Sequence, residues 1–308
     1  MRITLLIILI TNLLFAKELI SPIEENVIVD INKALLGKKL FFEKRLSKDN
    51  TISCASCHII AEGGDDNKRV SEGINKKKGS LNAPTVLNSK YNFVQFWDGR
   101  AKNLEEQAAG PIHNPIEMGS DLKTVVKELK KDPGYVKRFR EVFNDVIKPN
   151  YITEAIAEFE NALVTPNSRF DKFLKGDIHA ITEYEKEGFE LFKSYGCISC
   201  HNGVNMGGNL FQKMGILKKK DYQNKEYLGR YNVTKDEEDK FFYKVPGLRN
   251  IEQTAPYFHS GEVKTLKEAV ELMMEFQLGI KPNSKSVEKI EAFLKTLNGE
   301  MPKIMELK

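Results

Sequence analysis

All four cysteines of the 308-residue chain lie in two copies of one five-residue pattern. The copies read Cys54-Ala-Ser-Cys57-His58 and Cys197-Ile-Ser-Cys200-His201. In a Cys-x-x-Cys-His pattern, the two thiols form thioethers with a porphyrin and the histidine supplies a nitrogen ligand to its iron. Because no cysteine is left over for a disulfide framework, the spacing predicts two covalently bound haem c groups.

Two other chemistries use paired cysteines, and neither fits this chain. Zinc needs four ligands, whereas each copy offers three, so a zinc site would have to join cysteines 143 residues apart. A thioredoxin-type redox pair belongs to a βαβ setting, and alternating strand patterns of useful length are scarce. Haem attachment therefore remains the best interpretation of both motifs.

Few further iron ligands remain, and they are unequally distributed. Only His113, His179 and His259 are left among the histidines. Met118 alone follows the first motif before residue 165, whereas the second motif is followed by Met206, Met214, Met273 and Met274. A methionine ligand raises the potential of a haem, which makes the second haem the better candidate for electron entry. The inventory leaves two classes open: an electron carrier with two six-coordinate irons, or an enzyme with one open iron.

Residues 1–16 read as a cleaved signal peptide, with a basic start, an apolar run and Ala16 before Lys17. The apolar run is shorter than the roughly 20 residues that span a bilayer. We therefore expect export to the periplasm and no stable membrane insertion afterwards. The formal net charge of +4 is too small to predict a nucleic-acid partner.

Helical periodicity dominates the remaining chain. Apolar residues recur at helical spacing over 122–129, with Ser120 as the predicted N-cap, over 152–163 and over 287–297. Since strand patterns are scarce, we predict an all-α fold with long loops.

A constant offset relates the two halves of the chain. Seven positions recur 162 residues later: Pro84, Asn88, Phe96, Gly99, Lys102, Leu104 and Glu106 match Pro246, Asn250, Phe258, Gly261, Lys264, Leu266 and Glu268. The two Cys motifs are only 143 residues apart, so the second copy carries a 19-residue insertion between His201 and Pro246. We predict two cytochrome c-like haem domains from an internal duplication, 17–165 and 166–308, with the extreme C-terminus able to pack back on the first.

Several segments, in this order, resemble the bacterial diheme cytochrome c peroxidases, which are related to the MauG-type diheme enzymes. The segments are 82–88 (NAPTVLN), 96–100 (FWDGR), 106–111 (EQAAGP), 114–118 (NPIEM), 245–250 (VPGLRN), 256–259 (PYFH) and 269–273 (AVELM). They extend over essentially the whole chain after residue 16, which makes the resemblance far more specific than the haem motifs alone.

The resemblance implies a division of labour between the two domains. The N-terminal haem, with His58 as its proximal ligand, would be the peroxidatic site. The C-terminal haem, with His201 and Met273 as its axial pair, would accept electrons from a small soluble c-type cytochrome or a similar donor. Met274 points about 100° away from Met273 on a helix, so we expect it to pack in the core.

The same resemblance implies further site residues. Glu117 matches the catalytic carboxylate, which moves a proton between the two peroxide oxygens. Gln107 would help to shape the same pocket, and Trp97 would lie between the haems as an electron-transfer bridge.

The resemblance also implies a calcium ion between the domains and, in many family members, a homodimer. The matching calcium ligands are Asn82 and the backbone carbonyl groups of Thr254 and Pro256. Oxygen donors suit this cation, although water must complete the shell.

One departure from the family pattern concerns the loop after the first motif. Many members carry a removable distal histidine there, whereas Ile74 occupies the matching position and no histidine occurs between His58 and His113. Because isoleucine cannot ligate iron, we expect a high-spin or water-ligated first haem even in the oxidised protein. His113 is the remaining candidate for a substitute ligand, but an accessory or surface role is favoured.

Together these expectations describe a periplasmic diheme cytochrome c peroxidase that reduces hydrogen peroxide to water with electrons from a small cytochrome c. One alternative is a MauG-like oxidase of another substrate, which Met273 disfavours because a tyrosine would be expected at that position. The other is a diheme electron carrier without turnover, which Glu117 and the missing distal histidine disfavour.

Overall fold

The computed structural model describes residues 19–217 and 227–307, so the predicted signal peptide, 1–16, lies outside the described residues. Helices dominate these two ranges, so the protein is mainly α, and one small sheet departs from the predicted all-α fold. The one sheet found in them is an antiparallel pair, β1 (Phe211–Lys213) and β2 (Phe242–Lys244), inside the predicted insertion. No helix of this described part is long and apolar enough to cross a bilayer.

The α-helices follow the periodicity of the sequence. They are α1 (Ile31–Phe41), α2 (Leu104–His113), α3 (Leu122–Leu129), α4 (Pro133–Phe143), α5 (Pro149–Asn161), α6 (Arg169–Leu174), α7 (Glu183–Ser194), α8 (Tyr231–Thr234), α9 (Leu266–Leu272) and α10 (Ser284–Lys295). The first predicted apolar stripe falls in α3, and the other two begin in α5 and α10 and end two residues beyond these helices, at Leu163 and Leu297. The predicted cap of α3 is wrong: Asp121, not Ser120, accepts hydrogen bonds from the first N–H groups of the helix, at 2.9 Å.

The first hydrophobic cluster forms where α1 crosses α5. Gly37 allows this crossing, because a Cβ atom at that position would collide with the carbonyl oxygen of Ala155. One turn further along α1, the ring of Phe41 meets that of Phe159 edge to face, with centroids 5.2 Å apart. The close approach of the two backbones lets these large rings fill the space beside the first Cys motif.

The second cluster repeats this arrangement with α7 and α10. A Cβ atom on Gly188 would collide with the carbonyl oxygen of Lys289. The rings of Phe192 and Phe293 lie 5.3 Å apart, beside the second Cys motif. Each Cys motif therefore lies against a pair of crossed helices that a glycine brings together.

The ends of the described chain cross between the two clusters. Ile20 is buried in the second cluster, and Arg249 donates a hydrogen bond to the carbonyl oxygen of Ser21. Ile304 is buried in the first cluster, where Lys38 donates to its carbonyl oxygen. Residues 19–23 thus pack on the second cluster, although the predicted boundary assigns them to the first domain.

A shared polar contact joins the two clusters at the predicted boundary. The hydroxyl oxygen of Thr165 accepts hydrogen bonds from the side-chain amides of both Asn88 and Asn250, each at 2.8 Å. Both asparagines have φ near 60° and begin a short 3-10 turn. The pair recurs at the 162-residue offset, so equivalent sequence positions have equivalent backbone conformations.

Candidate functional site

The first Cys motif opens on a cavity of about 620 Å³. Its lining includes Cys54, Cys57, His58, Trp97, Asp98, Arg100, Gln107, Asn114, Glu117, Glu160 and Lys244. The predicted distal residues, which lie on α2 and on the turn after it, are therefore brought to the same space as the first motif.

His58 is held as a neutral imidazole. Its Nδ1 atom lies 3.1 Å from the carbonyl oxygen of Gly64, and burial lowers its pKa. A carbonyl on Nδ1 fixes the tautomer that leaves Nε2 unprotonated and available to a metal. This is the arrangement that a proximal haem ligand requires.

The thiols of Cys54 and Cys197 are unsuited to metal binding or redox catalysis as thiolates. Burial raises the pKa of Cys54 to about 12 and that of Cys197 to about 11. Reactive and zinc-binding cysteines have lowered pKa values instead. Among the described residues, no group of three or more His, Cys, Asp or Glu side chains could hold a metal ion. The thiols fit covalent attachment of a porphyrin better than either alternative.

Glu117 lies on the turn between α2 and α3. Its Oε1 atom accepts a hydrogen bond from Nδ2 of Asn114 at 2.6 Å. Burial raises the pKa of Glu117, while the charge of Arg100 and the Asn114 hydrogen bond oppose that rise. A carboxyl group whose pKa moves toward neutrality can both accept and return a proton.

Arg100 and Asn114 are site residues that the sequence reasoning did not single out. The guanidinium group of Arg100 lies 3.5 Å from the centroid of the Phe96 ring and donates to Asp98 at 3.0 Å. Arg100 belongs to the segment 96–100 with Trp97, and Asn114 belongs to the segment 114–118 with Glu117. The resemblance of these two segments to the family is the signal that points to both residues.

The loop that carries Ile74 lines the cavity with Ser71, Gly73 and Gly79, but Ile74 itself packs on the turn of Glu117 and is absent from the lining. The backbone N–H of Ile74 donates to the carbonyl oxygen of Glu117 at 2.8 Å, and its side chain is only 4% exposed. A side chain on Gly119, which has φ of 59°, would collide with it. His113 is exposed and receives a hydrogen bond from the backbone of Leu122. Of the described residues that line the cavity, His58 is the one histidine.

The second Cys motif faces its own cavity. Its lining includes Trp97, Cys197, Cys200, His201, Met214, Tyr243, Lys244, His259, Met273 and Met274. The Nδ1 atom of His201 lies 3.3 Å from the carbonyl oxygen of Met206, and burial lowers the pKa of His201 to about 4. His201 is thus held in the same way as His58.

Met273 and Met274 both line this cavity, but they differ in burial. Met274 is 1% exposed and belongs to the second hydrophobic cluster, whereas Met273 is more exposed. Met273 also begins a five-residue π-helix, Met273–Gln277, that continues α9. π-Helical turns of this kind are frequently found at functional sites.

Trp97 and Lys244 line both cavities, and no other described residue does. The indole Nε1 of Trp97 donates to the carbonyl oxygen of Asn82 at 2.9 Å, and the carbonyl oxygen of Trp97 accepts from the backbone N–H of Lys244 at 2.8 Å. The Trp97 ring is thereby fixed between the two predicted haem sites.

The predicted calcium ligands lie near two buried carboxyl groups that no sequence motif singles out. The side-chain amide of Asn82 donates to the carbonyl oxygen of Lys68, whose N–H donates to Asp66. Asp65 and Asp66 are both buried, and each has one carboxylate oxygen without a hydrogen-bond partner. Gly63 packs against the carbonyl group of Gln253, next to Thr254, so this loop abuts the other predicted ligands.

The chain is similar to known proteins over nearly its whole length. The model of a family described as di-haem cytochrome c peroxidase matches residues 31–179. A cytochrome c551 peroxidase of Nitrosomonas europaea is 51% identical, over 93% of this chain and 86% of that protein. The cytochrome c peroxidase Ccp of Escherichia coli K12 is 47% identical, over 92% of this chain and 61% of that protein. The crystal structure of a MauG-like protein associated with microbial copper homeostasis has a TM-score of 0.81 at 28% identity, covering 94% of this chain and 96% of that one.

Proposed function

The chain belongs to the di-haem cytochrome c peroxidase family, and we propose that its two Cys-x-x-Cys-His sites share one peroxidase reaction. The protein is a cytochrome c peroxidase, an oxidoreductase that acts on hydrogen peroxide, and it holds two haem c groups. The electrons come from a cytochrome donor, as the names of these relatives indicate. What remains to be assigned is the role of each residue.

The donor atoms in both sites fit haem c. Cys54, Cys57 and His58 would hold the first group, and Cys197, Cys200 and His201 would hold the second. When bound, the haem groups supply one-electron chemistry and an iron centre for peroxide. The support lies in the two half-buried imidazoles, each with Nδ1 at a backbone carbonyl, and in the raised pKa values of the Cys54 and Cys197 thiols, which disfavour free thiolates.

Glu117 is the proton-transfer residue of the first site. Its carboxylate accepts the proton of one peroxide oxygen and returns it to the other, so that a water molecule can leave. Asn114 holds the Oε1 atom of this carboxylate in place, and Gln107, on the same cavity wall, orients the substrate. The presence of this partly buried carboxyl group in the cavity of His58 is the observation that carries the proposal.

The second site receives electrons and Trp97 lies on the path between the sites. His201 and Met273 would be the axial pair of that site, and Met274 packs in the core. Support comes from the cavity that Met273 lines and from the burial of Met274 in the second cluster. Met273 also disfavours the MauG-like alternative, in which a tyrosine would be expected.

A calcium ion near Asn82, Thr254 and Pro256 is part of this proposal. Asn82 is buried in the wall of the first cavity, and its carbonyl oxygen accepts a hydrogen bond from the Trp97 indole. Because Asp65 and Asp66 are buried nearby with unpartnered oxygens, a divalent cation would compensate their charge. Calcium would thereby stabilise the position of Trp97.

We also propose that residues 1–16 direct export to the periplasm and that the two haem domains arose by duplication. The signal-peptide pattern supports the first point. The matched helix crossings at Gly37 and Gly188 and the matched turns at Asn88 and Asn250 support the second. The homodimer stays a prediction.

Peroxide-dependent oxidation of a reduced small cytochrome c tests the central assignment. We expect Glu117→Gln to lower the rate by roughly 10²- to 10⁴-fold while both haems remain attached. Glu105→Gln, an exposed glutamate on α2, is the matched control and should keep the wild-type rate. Equal rates in the two variants would contradict the role of Glu117, and a wild-type protein that holds both haems without turnover would be an electron carrier.

A further inference from the structure

Lys244 is a buried lysine at the boundary between the two cavities. It is 5% exposed and ends strand β2, where its backbone is paired with Phe211. Its N–H also donates to the carbonyl oxygen of Trp97 at 2.8 Å. These contacts fix the Lys244 backbone beside the residue that separates the two sites.

The side chain of Lys244 has no ionic or hydrogen-bonding partner among the described residues. Burial alone lowers its pKa to about 8. The other deeply buried cation, Arg249, pairs with Asp171 at 2.7 Å. Taking a charged group out of water is costly unless an opposite charge compensates it. The burial of Lys244 therefore indicates an anionic partner.

The protein does not supply that partner from the cavity walls. Asp98, a buried carboxylate in the first cavity, is already paired with Arg100. Glu117 accepts a hydrogen bond from Asn114. Glu160, the remaining carboxyl group of the cavity wall, contributes nothing to the pKa of Lys244. Tyr243, the neighbour of Lys244 in β2, is neutral because burial raises its pKa. The anion must therefore enter with a bound group.

The position of Lys244 identifies the class of anion. It lines the cavities of both Cys-x-x-Cys-His motifs, and the group expected in each cavity carries two propionate carboxylates on one porphyrin edge. An ammonium group and a carboxylate form a strong, charge-assisted hydrogen bond when both are shielded from water. We propose that Lys244 forms an ion pair with a haem propionate at the junction of the two sites. This inference rests on the proposed haem sites.

The ion pair has a consequence for electron transfer. A fixed positive charge close to a haem favours the state with one more electron, so Lys244 raises the potential of the haem whose propionate it binds. In this role Lys244 acts on the potential of the cofactor and not on peroxide.

Spectroelectrochemical titration of the holoprotein tests the proposal. In Lys244→Gln, we expect the ferric-to-ferrous ratio of at least one haem to rise tenfold or more at a fixed potential, which equals a downward shift of about 59 mV. Lys244→Arg keeps the charge and should keep the wild-type potentials. Lys264→Gln removes an exposed lysine from the second domain and should shift neither haem measurably.

A crystal structure of the wild-type holoprotein provides a test that needs no variant. We expect the Nζ atom of Lys244 within hydrogen-bonding distance of a propionate oxygen. Either unchanged potentials in a Lys244→Gln protein with both haems attached, or a Lys244 side chain remote from every propionate, would overturn the proposal. These outcomes leave the peroxidase assignment intact, whereas a wild-type protein that attaches no haem would refute the haem sites themselves.

Discussion

The backbone N–H of Ile74 donates a 2.8 Å hydrogen bond to the carbonyl oxygen of Glu117. The loop that carries a removable ligand in many family members is therefore tied to the turn that bears the proposed catalytic carboxyl group. The Ile74 side chain packs against Gly119 and is absent from the lining of the first cavity. Neither the loop nor His113 brings a ligating side chain into that cavity.

The first prediction concerns the oxidised protein. Because Ile74 cannot ligate iron, the first haem should show a high-spin spectrum when both haems are oxidised, and peroxide should react without prior reduction. Visible and electron paramagnetic resonance spectra, together with activity of the fully oxidised and half-reduced forms, measure both properties. A fully low-spin wild-type protein would refute the prediction.

The second prediction concerns the pH profile. Glu117 must be ionised to accept a proton, and burial raises its pKa above the ordinary value of 4.5. The kcat/KM for peroxide should therefore fall as pH decreases through that raised value. Asn114→Leu removes the hydrogen bond that lowers the pKa, so the acid limb should move to higher pH. An acid limb that stays in place in Asn114→Leu would assign the limb to another group.

Local patterns predicted much of the fold and part of the site. The helices over 122–129 and 287–297 are predictable because apolar residues recur at helical spacing within each short stretch of the sequence. Glu117 was found through its surrounding segment, since an isolated glutamate carries no local signal. Lys244 could not be found, because it lies in the insertion without a counterpart in the first half, and its burial arises from contacts with Trp97, far away in the chain.

The third prediction concerns the helix crossings. Gly37→Ala and Gly188→Ala should each lower the free energy of unfolding by about 1–3 kcal/mol, because the new methyl group collides with a backbone carbonyl across the crossing. Alanine would otherwise stabilise an open helical position. Denaturant titration of the holoprotein measures the change. Gly79→Ala, where the nearest atom to a Cβ is 3.7 Å away, is the control and should change stability by less than about 0.5 kcal/mol.

The fourth prediction concerns Glu160, which lies on α5 in the wall of the first cavity. Burial raises its pKa from 4.5 to about 8, and one of its carboxylate oxygens has no hydrogen-bond partner. Between these two pH values the folded protein keeps a proton that the unfolded chain has released. The free energy of unfolding should therefore fall as pH rises through this window, with a contribution of about 1.4 kcal/mol per pH unit from Glu160.

Glu160→Gln isolates this contribution, because glutamine has the same shape and does not titrate. The difference in free energy of unfolding between the variant and the wild-type protein should grow in favour of the variant from pH 4.5 to about 8 and be constant outside that window. Asp65, whose pKa burial raises to about 7, contributes equally to both proteins and cancels in the difference. Glu105→Gln should give no such slope, since this side chain is exposed in either state. A difference independent of pH would mean that Glu160 is ionised in the folded protein, held by a positive charge in the first cavity.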